Sequence, residues 1–330
     1  MYPLDPSLAV LKSRRDAELR KIIESLDKRM ILVIGPCSAD DEDSVIDYIK
    51  RLKEIDSDVN DKIYIIPRVY TNKPRTTGMG YKGLLHQPDA DKKPDMFKGI
   101  IVTRKLHMRV MKETGFTSAD ELLYPENYKY IDDLLGYVTV GARSVEDQQH
   151  RLTSSGIEVP VGMKNPTGGH LEVMMNSAYA AQQPHTFIYR GWEAHSKGNP
   201  LAHVILRGYT NRHGEVIPNY HYEDLKTVAR MYREMEERQM ALLNPTIIVD
   251  CNHDNSGRDP LSQRNVVLDV LESRKRDEEI GKIVKGFMIE SYIEDGCQEI
   301  GGGVYGKSIT DPCLGWEKTR ELIYEIYDKL

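Results

Sequence analysis

Short apolar runs rich in valine and isoleucine recur along the chain, separated by stretches whose apolar residues have helical spacing. Seven runs occupy 30–38, 62–70, 137–144, 159–165, 202–208, 246–253 and 287–292. Continuous apolar runs of this length are typical of strands buried on both faces of a parallel sheet. We expect an eighth strand around Gly115–Glu121, where the pattern is weakest.

The segments between these runs predict helices, most clearly Asp43–Lys53, Tyr222–Arg238 and Trp316–Leu330. Residues 1–28 predict an additional helical segment, and residues 72–98, rich in Lys, Gly and Pro, predict a long loop. Alternating strands and helices indicate an α/β fold. We predict a (β/α)8 TIM barrel, with a doubly wound sheet as the alternative. The whole chain, 1–330, is predicted to be one barrel domain with a short N-terminal extension, since barrels of this length often form one domain.

Composition narrows the range of partners and compartments. The 330 residues carry a net charge of -6, which argues against a nucleic-acid partner. No stretch approaches the roughly 18 apolar residues that a membrane helix needs, and the N-terminus lacks the apolar core of a signal peptide. Four irregularly spaced cysteines argue against a disulfide framework. We therefore expect a cytoplasmic protein with no membrane or nucleic-acid partner.

Nearly every apolar run ends in a charged or reactive side chain, and in a barrel these positions converge on the C-terminal mouth. One such cation alone is most simply a solvated loop residue. Six cations held together need anions to offset their repulsion, and phosphates and carboxylates are suitable anions. The series therefore predicts substrates with several negative charges. Its members are Arg68, Arg143, Lys164 and Arg207 at strand ends, with Lys73 and Arg75 from the long loop.

A second group consists of Cys37, His253, Glu290 and Asp311. A thiolate, an imidazole and two carboxylates could together bind a divalent transition metal. Taken alone, Cys37 is more simply a buried structural thiol and His253 a hydrogen-bonded loop histidine. The mixture of ligands leaves Mn2+, Fe2+, Co2+ and Zn2+ open. When no metal is bound, we expect the nearby cations to lower the pKa of Cys37.

Residues Gly301–Ser308 match the nucleotide-binding pattern G-x4-GK[ST]. That loop must follow a strand directly and open a helix, whereas Pro312 closely follows this segment. We therefore reject nucleotide hydrolysis. Contact between the backbone amides of the loop and some phosphate group stays open.

A set of collinear motifs covers about residues 30–320 and resembles one known family. The motifs are GPCS (35–38), PRVYTNKPRTT (67–77), GARSVEDQQHR (141–151), PVGMKN (160–165), ILRG (205–208), DCNHDNS (250–256), MIES (288–291) and SITDPCLGW (308–316). The sequence resembles type I 3-deoxy-D-arabino-heptulosonate 7-phosphate (DAHP) synthases. The combination of KPRTT, GAR and ITD…GW is highly specific for them.

This resemblance implies a (β/α)8 barrel, a divalent metal ion and a transferase activity (EC 2.5.1.54). The implied reaction condenses phosphoenolpyruvate with D-erythrose 4-phosphate and water to give DAHP and phosphate. It is the first step of the shikimate pathway to the aromatic amino acids. We also expect a homo-oligomer, either a dimer or a tetramer.

The resemblance also implies roles for individual residues. Those implied to bind phosphoenolpyruvate are Arg143, Lys164 and Arg207, with Arg68 and Lys73 beside them and Glu121 positioning the phosphate or a water. Those implied to bind the phosphate of erythrose 4-phosphate are Arg75 and Thr76. Those implied to bind the metal are Cys37, His253, Glu290 and Asp311. The implied catalytic residues are Lys164, a candidate general acid, with Lys73 and His253.

Several positions depart from the family pattern. The segment TTGMGYKG has one residue more than the usual TTVGWKG and places Tyr81 where tryptophan is usual. Asn252 stands where serine is common. Glu158 and Lys129 stand where smaller or neutral effector-pocket residues are usual. The short N-terminus and these charges predict weak or absent inhibition by Phe or Tyr.

Three other functions remain to be weighed. A sister synthase would join phosphoenolpyruvate to arabinose 5-phosphate or an amino sugar, although KPRTT speaks against it. A Schiff-base aldolase would use Lys164 and need no metal. A non-catalytic anion-binding barrel would bind phosphoenolpyruvate but release no phosphate.

Overall fold

A computed structural model describes residues 2–330, and its central feature is a sheet of eight parallel strands. The strands are β1 (Met30–Gly35), β2 (Ile63–Pro67), β3 (Ser118–Glu121), β4 (Leu135–Val140), β5 (Val161–Lys164), β6 (His203–Leu206), β7 (Ile247–Asp250) and β8 (Val284–Glu290). All eight coincide with predicted strands, including β3, where the apolar pattern was weakest. The barrel prediction is confirmed, and the doubly wound alternative is wrong.

The strands follow one another around the barrel in chain order, and β8 pairs with β1 to return to the start. Between β2 and β3 the sheet is joined by a single parallel bridge, Arg68 to Ala119. There the Val69 N–H donates to the Ala119 carbonyl at 2.9 Å. The C-terminal ends of all eight strands therefore share one face.

Helices surround the barrel and confirm the helical predictions. Their apolar faces pack on the outer surface of the strands, where most of the buried side chains lie. They are α1 (Pro6–Ile23), α2 (Glu42–Val59), α3 (Met96–Thr114), α4 (Pro125–Tyr128), α5 (Gln148–Ser154), α6 (Leu171–Gln182), α7 (Tyr222–Glu237), α8 (Gln263–Arg276), α9 (Glu278–Ile283) and α10 (Trp316–Lys329).

Helix α1, the predicted N-terminal helical segment, packs on the barrel interior. Its Leu19, Ile22 and Ile23 share an apolar cluster with inward-facing side chains such as Ile31 and Tyr64. The Arg15 guanidinium donates to the Ile65 carbonyl at 2.7 Å. Helix α1 consequently covers the N-terminal end of the barrel interior, and the interior opens at the C-terminal end.

The loops carry little regular structure. Residues 72–95 form no helix or strand, so the predicted loop 72–98 is confirmed except for its last three residues, which begin α3. Two short antiparallel strands, Thr186–Tyr189 and Trp192–His195, form a hairpin between α6 and β6. Gly301–Ser308 opens no helix, in agreement with the rejection of a nucleotide-binding loop. None of the described helices is long and apolar enough to cross a membrane.

Candidate active site

A polar cleft at the C-terminal mouth of the barrel brings together ten of the twelve predicted site residues. The other two residues do not line the cleft, but each contacts one that does: Thr76 contacts Arg143, and Glu290 contacts Arg68. The strand ends contribute residues to the cleft because the parallel strands of the barrel all have their last residues on the same face. The predicted residues that line the cleft are Cys37, Arg68, Lys73, Arg75, Glu121, Arg143, Lys164, Arg207, His253 and Asp311.

Three of the four predicted metal ligands form a tight group. Ligand atoms of Cys37, Glu290 and Asp311 all lie within 4.8 Å of one another. His253 stands at the edge of this group, with Nε2 3.7 Å from Glu290 Oε1. A thiol and two carboxylates so close together fit a divalent cation, which would offset their mutual repulsion once the thiol is ionised.

Lys73 crosses the cleft to this group. Its Nζ lies 2.5 Å from Cys37 Sγ and 2.9 Å from Asp311 Oδ2. Burial works against the charge on Lys73, but the thiol and the carboxylate outweigh it and raise the pKa of Lys73. The same contact holds the pKa of Asp311 below its ordinary value, despite the burial of that carboxyl group.

The expectation that cations lower the pKa of Cys37 is wrong. Burial is the largest effect and, with the nearby Glu290 carboxylate, raises the pKa of Cys37 to about 12. Lys73 and Arg68 oppose this rise without cancelling it. Cys37 is therefore a neutral thiol at physiological pH unless a metal ion displaces its proton.

Glu290 is completely buried and is held from two sides. Arg68 Nη2 donates to Oε1 at 2.7 Å, and Asn252 Nδ2 donates to Oε2 at 2.6 Å. Asn252 thus helps to orient Glu290. The sequence showed that asparagine stands here where serine is common, but it did not predict this role. Arg68 also stacks on Tyr70, with 3.9 Å from its guanidinium carbon to the ring centre. Its buried Nη1 has no hydrogen-bond partner in the described part of the chain, so it remains available to an anion in the cleft.

Two further cations are paired with carboxylates that the sequence did not single out. Lys164 Nζ lies 2.7 Å from Asp250 Oδ2, and Arg207 Nη1 lies 3.0 Å from Asp254 Oδ2. The Asp250 carboxylate also lies 2.9 Å from His253 Nδ1. Asp250 and Asp254 both belong to the motif DCNHDNS, and Asp250 ends a strand, which was the available signal for it.

These ion pairs change what the sequence predicted about how the cations of the cleft are balanced. Substrate anions are not alone in balancing the cations, because four of the six predicted ones already contact a carboxylate of the protein. Within residues 2–330, Arg75 and Arg143 have no carboxylate oxygen within 4.0 Å. Arg258 also lines the cleft, and no sequence pattern pointed to it.

Arg75 and Arg143 hold the long loop at the edge of the cleft. Arg143 Nε donates to Thr76 Oγ1 at 2.8 Å, and Arg75 Nε donates to the Tyr81 carbonyl at 2.8 Å. Tyr81 itself is buried and reaches the Ala39 carbonyl at 3.3 Å. The tyrosine therefore anchors the loop with the extra residue, while the two guanidinium groups face the cleft.

Glu121 closes the cleft beside Lys164, Lys73 and Arg68. Burial raises its pKa above the ordinary value, although the three cations pull it down. Its buried Oε1 has no hydrogen-bond partner among the described residues. A Cβ at Gly141 would lie 2.3 Å from that oxygen, so the glycine leaves room for the carboxyl group in this position. A buried carboxyl group with a free oxygen is suited to hold a water or a protonated phosphate.

The chain was compared with known proteins. Residues 9–323 match the model of the DAHP synthetase I family. The Tyr-sensitive phospho-2-dehydro-3-deoxyheptonate aldolase of Escherichia coli K12 is 38% identical over 336 residues, covering 98% of this chain and 90% of that protein. The tyrosine-inhibited phospho-2-dehydro-3-deoxyheptonate aldolase of Candida albicans is 35% identical over 329 residues, covering 96% and 85%.

A solved structure agrees with these matches. The phospho-2-dehydro-3-deoxyheptonate aldolase of Francisella tularensis SCHU S4 superposes with a TM-score of 0.90 at 31% identity, covering 99% of this chain and 93% of that one. Both the barrel and the motifs at its mouth are thus accounted for: the chain belongs to the DAHP synthetase I family.

Proposed function

We propose that this chain condenses phosphoenolpyruvate with D-erythrose 4-phosphate and water, giving DAHP and inorganic phosphate. The observation that carries the proposal is the juxtaposition of the Cys37, Glu290 and Asp311 group with a cation-lined cleft at the barrel mouth of a member of this family. The reaction is the entry step to aromatic amino acid biosynthesis, and the enzyme is a transferase.

The cations of the cleft divide between two anionic substrates. Lys164 and Arg207 are buried at the ends of β5 and β6, and Arg68 lies beside them. In our assignment, these three and Arg143 hold the phosphate and carboxylate of phosphoenolpyruvate. Arg75 and Thr76, on the loop, hold the phosphate of erythrose 4-phosphate. Fixing both substrates in one orientation removes much of the entropic barrier to their condensation.

We assign the metal site to Cys37, His253, Glu290 and Asp311. A divalent ion bound there would supply Lewis-acid polarisation of the aldehyde oxygen of erythrose 4-phosphate. Mn2+, Fe2+, Co2+ and Zn2+ all suit this mixture of ligands. Lys73 lies against two of the assigned ligands and keeps a positive charge beside them.

We assign proton transfer and the positioning of water to buried polar groups of the cleft. Lys164 is assigned as the general acid that protonates the oxygen of the former aldehyde, and Asp250 holds its ammonium in place. Glu121, with its free buried oxygen, is assigned to position the water that adds to the second carbon of phosphoenolpyruvate. Phosphate then leaves by cleavage of its bond to that carbon.

We further propose that residues 1–330 form one domain, that the enzyme is cytoplasmic and that it is a homo-oligomer, either a dimer or a tetramer. Static light scattering and cell fractionation test the last two points. No nucleic-acid partner is expected for a chain with a net charge of -6.

The deciding experiment measures phosphate release with both substrates, before and after exhaustive chelation. We expect release only with phosphoenolpyruvate and erythrose 4-phosphate together, loss of release with chelator, and recovery with a divalent ion. Preference for arabinose 5-phosphate would favour the sister synthase. A borohydride-trapped adduct on Lys164 with full activity after chelation would favour the Schiff-base aldolase. Binding of phosphoenolpyruvate without any release would favour the non-catalytic barrel.

A pair of cysteine variants tests the metal assignment without relying on turnover. Cys37→Ala should weaken binding of added Mn2+ or Co2+ at least tenfold, measured by calorimetry on metal-free protein. Cys297→Ala is the matched control, because Cys297 is exposed and outside the group of ligands. Equal affinity in the two variants would contradict the assignment.

A further inference from the structure

A second cation-lined cavity, of about 320 Å3, lies at the opposite end of the barrel. Five of the residues that line it are cations: Lys28, Lys62, Arg274, Lys275 and Lys329. Lys62 directly precedes β2, and Lys28 lies just before β1, so the cavity is on the face of the strand N-termini. We call the cavity lined by these five cations the basal pocket.

The charges of the basal pocket are only partly balanced by the protein around it. Across residues 2–330, no aspartate or glutamate side chain lines the pocket. None of its five cations has a carboxylate oxygen within 4.0 Å. In the active-site cleft, by contrast, four of the six predicted cations contact a carboxylate. Such a concentration of positive charge is unexpected in a chain whose net charge is -6.

Arg274 is the most constrained of these cations. Its Nη2 donates to the Gly281 carbonyl at 3.2 Å, while its buried Nε has no hydrogen-bond partner among residues 2–330. Burial lowers the pKa of Arg274 to about 10, with no carboxylate to oppose the shift. Arg274 also lines the pocket, and a guanidinium with no carboxylate beside it in the described chain favours an anionic ligand there.

Helix ends explain only part of the cluster. Arg274 and Lys275 lie in the last turn of α8 and Lys329 in the last turn of α10, where cations interact favourably with the helix dipole. Each helix end supplies about half a negative charge. Even with a carboxylate on Leu330 counted as well, about three of the five positive charges remain. Lys62 Nζ also donates to the Tyr327 carbonyl in the last turn of α10 at 3.1 Å, whereas Lys28 belongs to a loop that neither helix end explains.

We propose that the basal pocket binds a small phosphate-bearing anion, such as a phosphate ester or pyrophosphate, with three or more negative charges. The cavity, of about 320 Å3, is large enough for such a small anion. Lysine ammonium groups and a guanidinium are the side chains that bind phosphate oxygens most strongly. The site is separate from the active site, since β1 alone puts about 20 Å between the two faces.

The test uses pyrophosphate as the probe and measures its affinity by calorimetry at constant ionic strength. Because the active-site cleft also binds phosphates, all variants are made in an Arg207→Gln background, which weakens binding at the mouth. Adding Lys62→Gln and Arg274→Gln should lower the affinity for pyrophosphate at least tenfold. The charge-matched control adds Lys197→Gln and Arg238→Gln, two exposed cations outside the basal pocket. It should leave the affinity within about twofold.

The exposed pair Lys275→Gln and Lys329→Gln gives a second test that spares the half-buried Arg274, should Arg274→Gln unfold the protein. It should lower the affinity at least threefold. In the wild-type background, the basal-pocket variants should keep their rate of phosphate release, so failure of the proposed activity and failure of this site are distinguishable. Equal losses in pocket and control variants, or no loss in either, would overturn the proposal.

Discussion

Lys164, which lines the cleft, forms a buried ion pair with Asp250, with 2.7 Å between Nζ and Oδ2. The side chain of Lys164 is 5% exposed and that of Asp250 is 0% exposed. Lys164 ends β5 and Asp250 ends β7, so the pair spans the intervening β6. Removing one partner of such a pair leaves an uncompensated buried charge.

We therefore expect Asp250→Asn to lower the free energy of unfolding by about 3 kcal/mol. Lys164→Met should have a similar effect, and the double variant should lose at least about 1 kcal/mol less than the sum. Urea unfolding of the metal-free proteins measures all three. The control is the same cycle at the exposed pair Arg264 and Glu325, 2.7 Å apart, where the coupling should stay below about 1 kcal/mol. Additive effects at Lys164 and Asp250 would contradict the pairing.

Arg75 and Arg143 should separate the two substrates kinetically. Arg75→Ala should mainly raise the KM for erythrose 4-phosphate, and Arg143→Ala the KM for phosphoenolpyruvate. Each variant loses a charge-assisted contact of roughly 2–4 kcal/mol. Neither arginine contacts a carboxylate of the protein, so the loss should fall on substrate binding rather than on folding.

Thr76→Val is the control for this pair, because Arg143 Nε donates to Thr76 Oγ1. It removes the hydroxyl while keeping both guanidinium groups, and should change the KM for phosphoenolpyruvate by less than about threefold. Steady-state kinetics with each substrate varied in turn give the result. If Arg75→Ala and Arg143→Ala affect both substrates equally, the division between them is wrong.

The sequence was sufficient to predict the barrel because seven of its strands are nearly continuous apolar runs. Strand β3 has a weak apolar pattern because its buried side chains include polar ones that form hydrogen bonds. His107 Nδ1 lies 2.8 Å from Ser118 Oγ, and Thr71 Oγ1 donates to Asp120 Oδ2 at 2.5 Å. Polar residues therefore fill a core position, and hydrophobic periodicity cannot detect such a strand.

The cleft was predictable to the extent that it depends on strand ends, since a parallel barrel brings these together whatever their sequence. Pairing within the cleft was not predictable in the same way. Which carboxylate meets Lys164 or Arg207 depends on distances across the barrel mouth. The neutral Cys37 thiol was missed for a related reason: burial and a neighbouring carboxylate outweigh the cations, and neither appears in the local sequence.

Inhibition by aromatic amino acids is the property in which this chain is expected to differ from Tyr-sensitive relatives. Glu158 and Lys129, which stand where effector-pocket residues are usual, are both exposed and charged. Lys129 is paired with Asp132 at 2.9 Å, while Glu158 has no cation within 4.0 Å in the described chain. An unpaired carboxylate disfavours the carboxylate of an amino acid nearby. We expect less than roughly twofold inhibition by Tyr or Phe at about 100 μM, a concentration at which a ligand with a micromolar Kd would saturate its site.

Glu158→Ser removes the unpaired carboxylate and is compared with the unaltered protein. The exposed Glu193→Ser is its control. Phosphate release is measured with Tyr and Phe titrated separately. Strong inhibition of the unaltered protein at micromolar concentrations would contradict the prediction. It would indicate either that the inhibitor binds in a pocket elsewhere or that the effector pocket tolerates the charges of Glu158 and Lys129.

Lys285 at the start of β8 makes stability depend on alkaline pH. It is buried, and its Nζ donates to the Ile23 carbonyl near the end of α1. No carboxylate oxygen within the described residues lies within 4.0 Å of it. Burial lowers the pKa of Lys285 to about 8 from an ordinary value of 10.5. Because the folded value lies below the unfolded one, the unfolded chain binds the proton more tightly between pH 8 and 10.5, and stability rises with pH through that window.

Lys285→Met should therefore stabilise the protein at pH 7, where the lysine must be charged while buried. The shift corresponds to about 3 kcal/mol, and the lost hydrogen bond to Ile23 offsets about 1 kcal/mol of it. The variant should be about 2 kcal/mol more stable at pH 7, and this advantage should vanish near pH 10.5. Urea unfolding at several pH values measures the difference. Lys282→Met, at an exposed lysine paired with Glu278, is the control and should show no comparable pH-dependent gain. A gap between Lys285→Met and the unaltered protein that stays constant from pH 7 to pH 10.5 would mean that Lys285 keeps an ordinary pKa in the folded state.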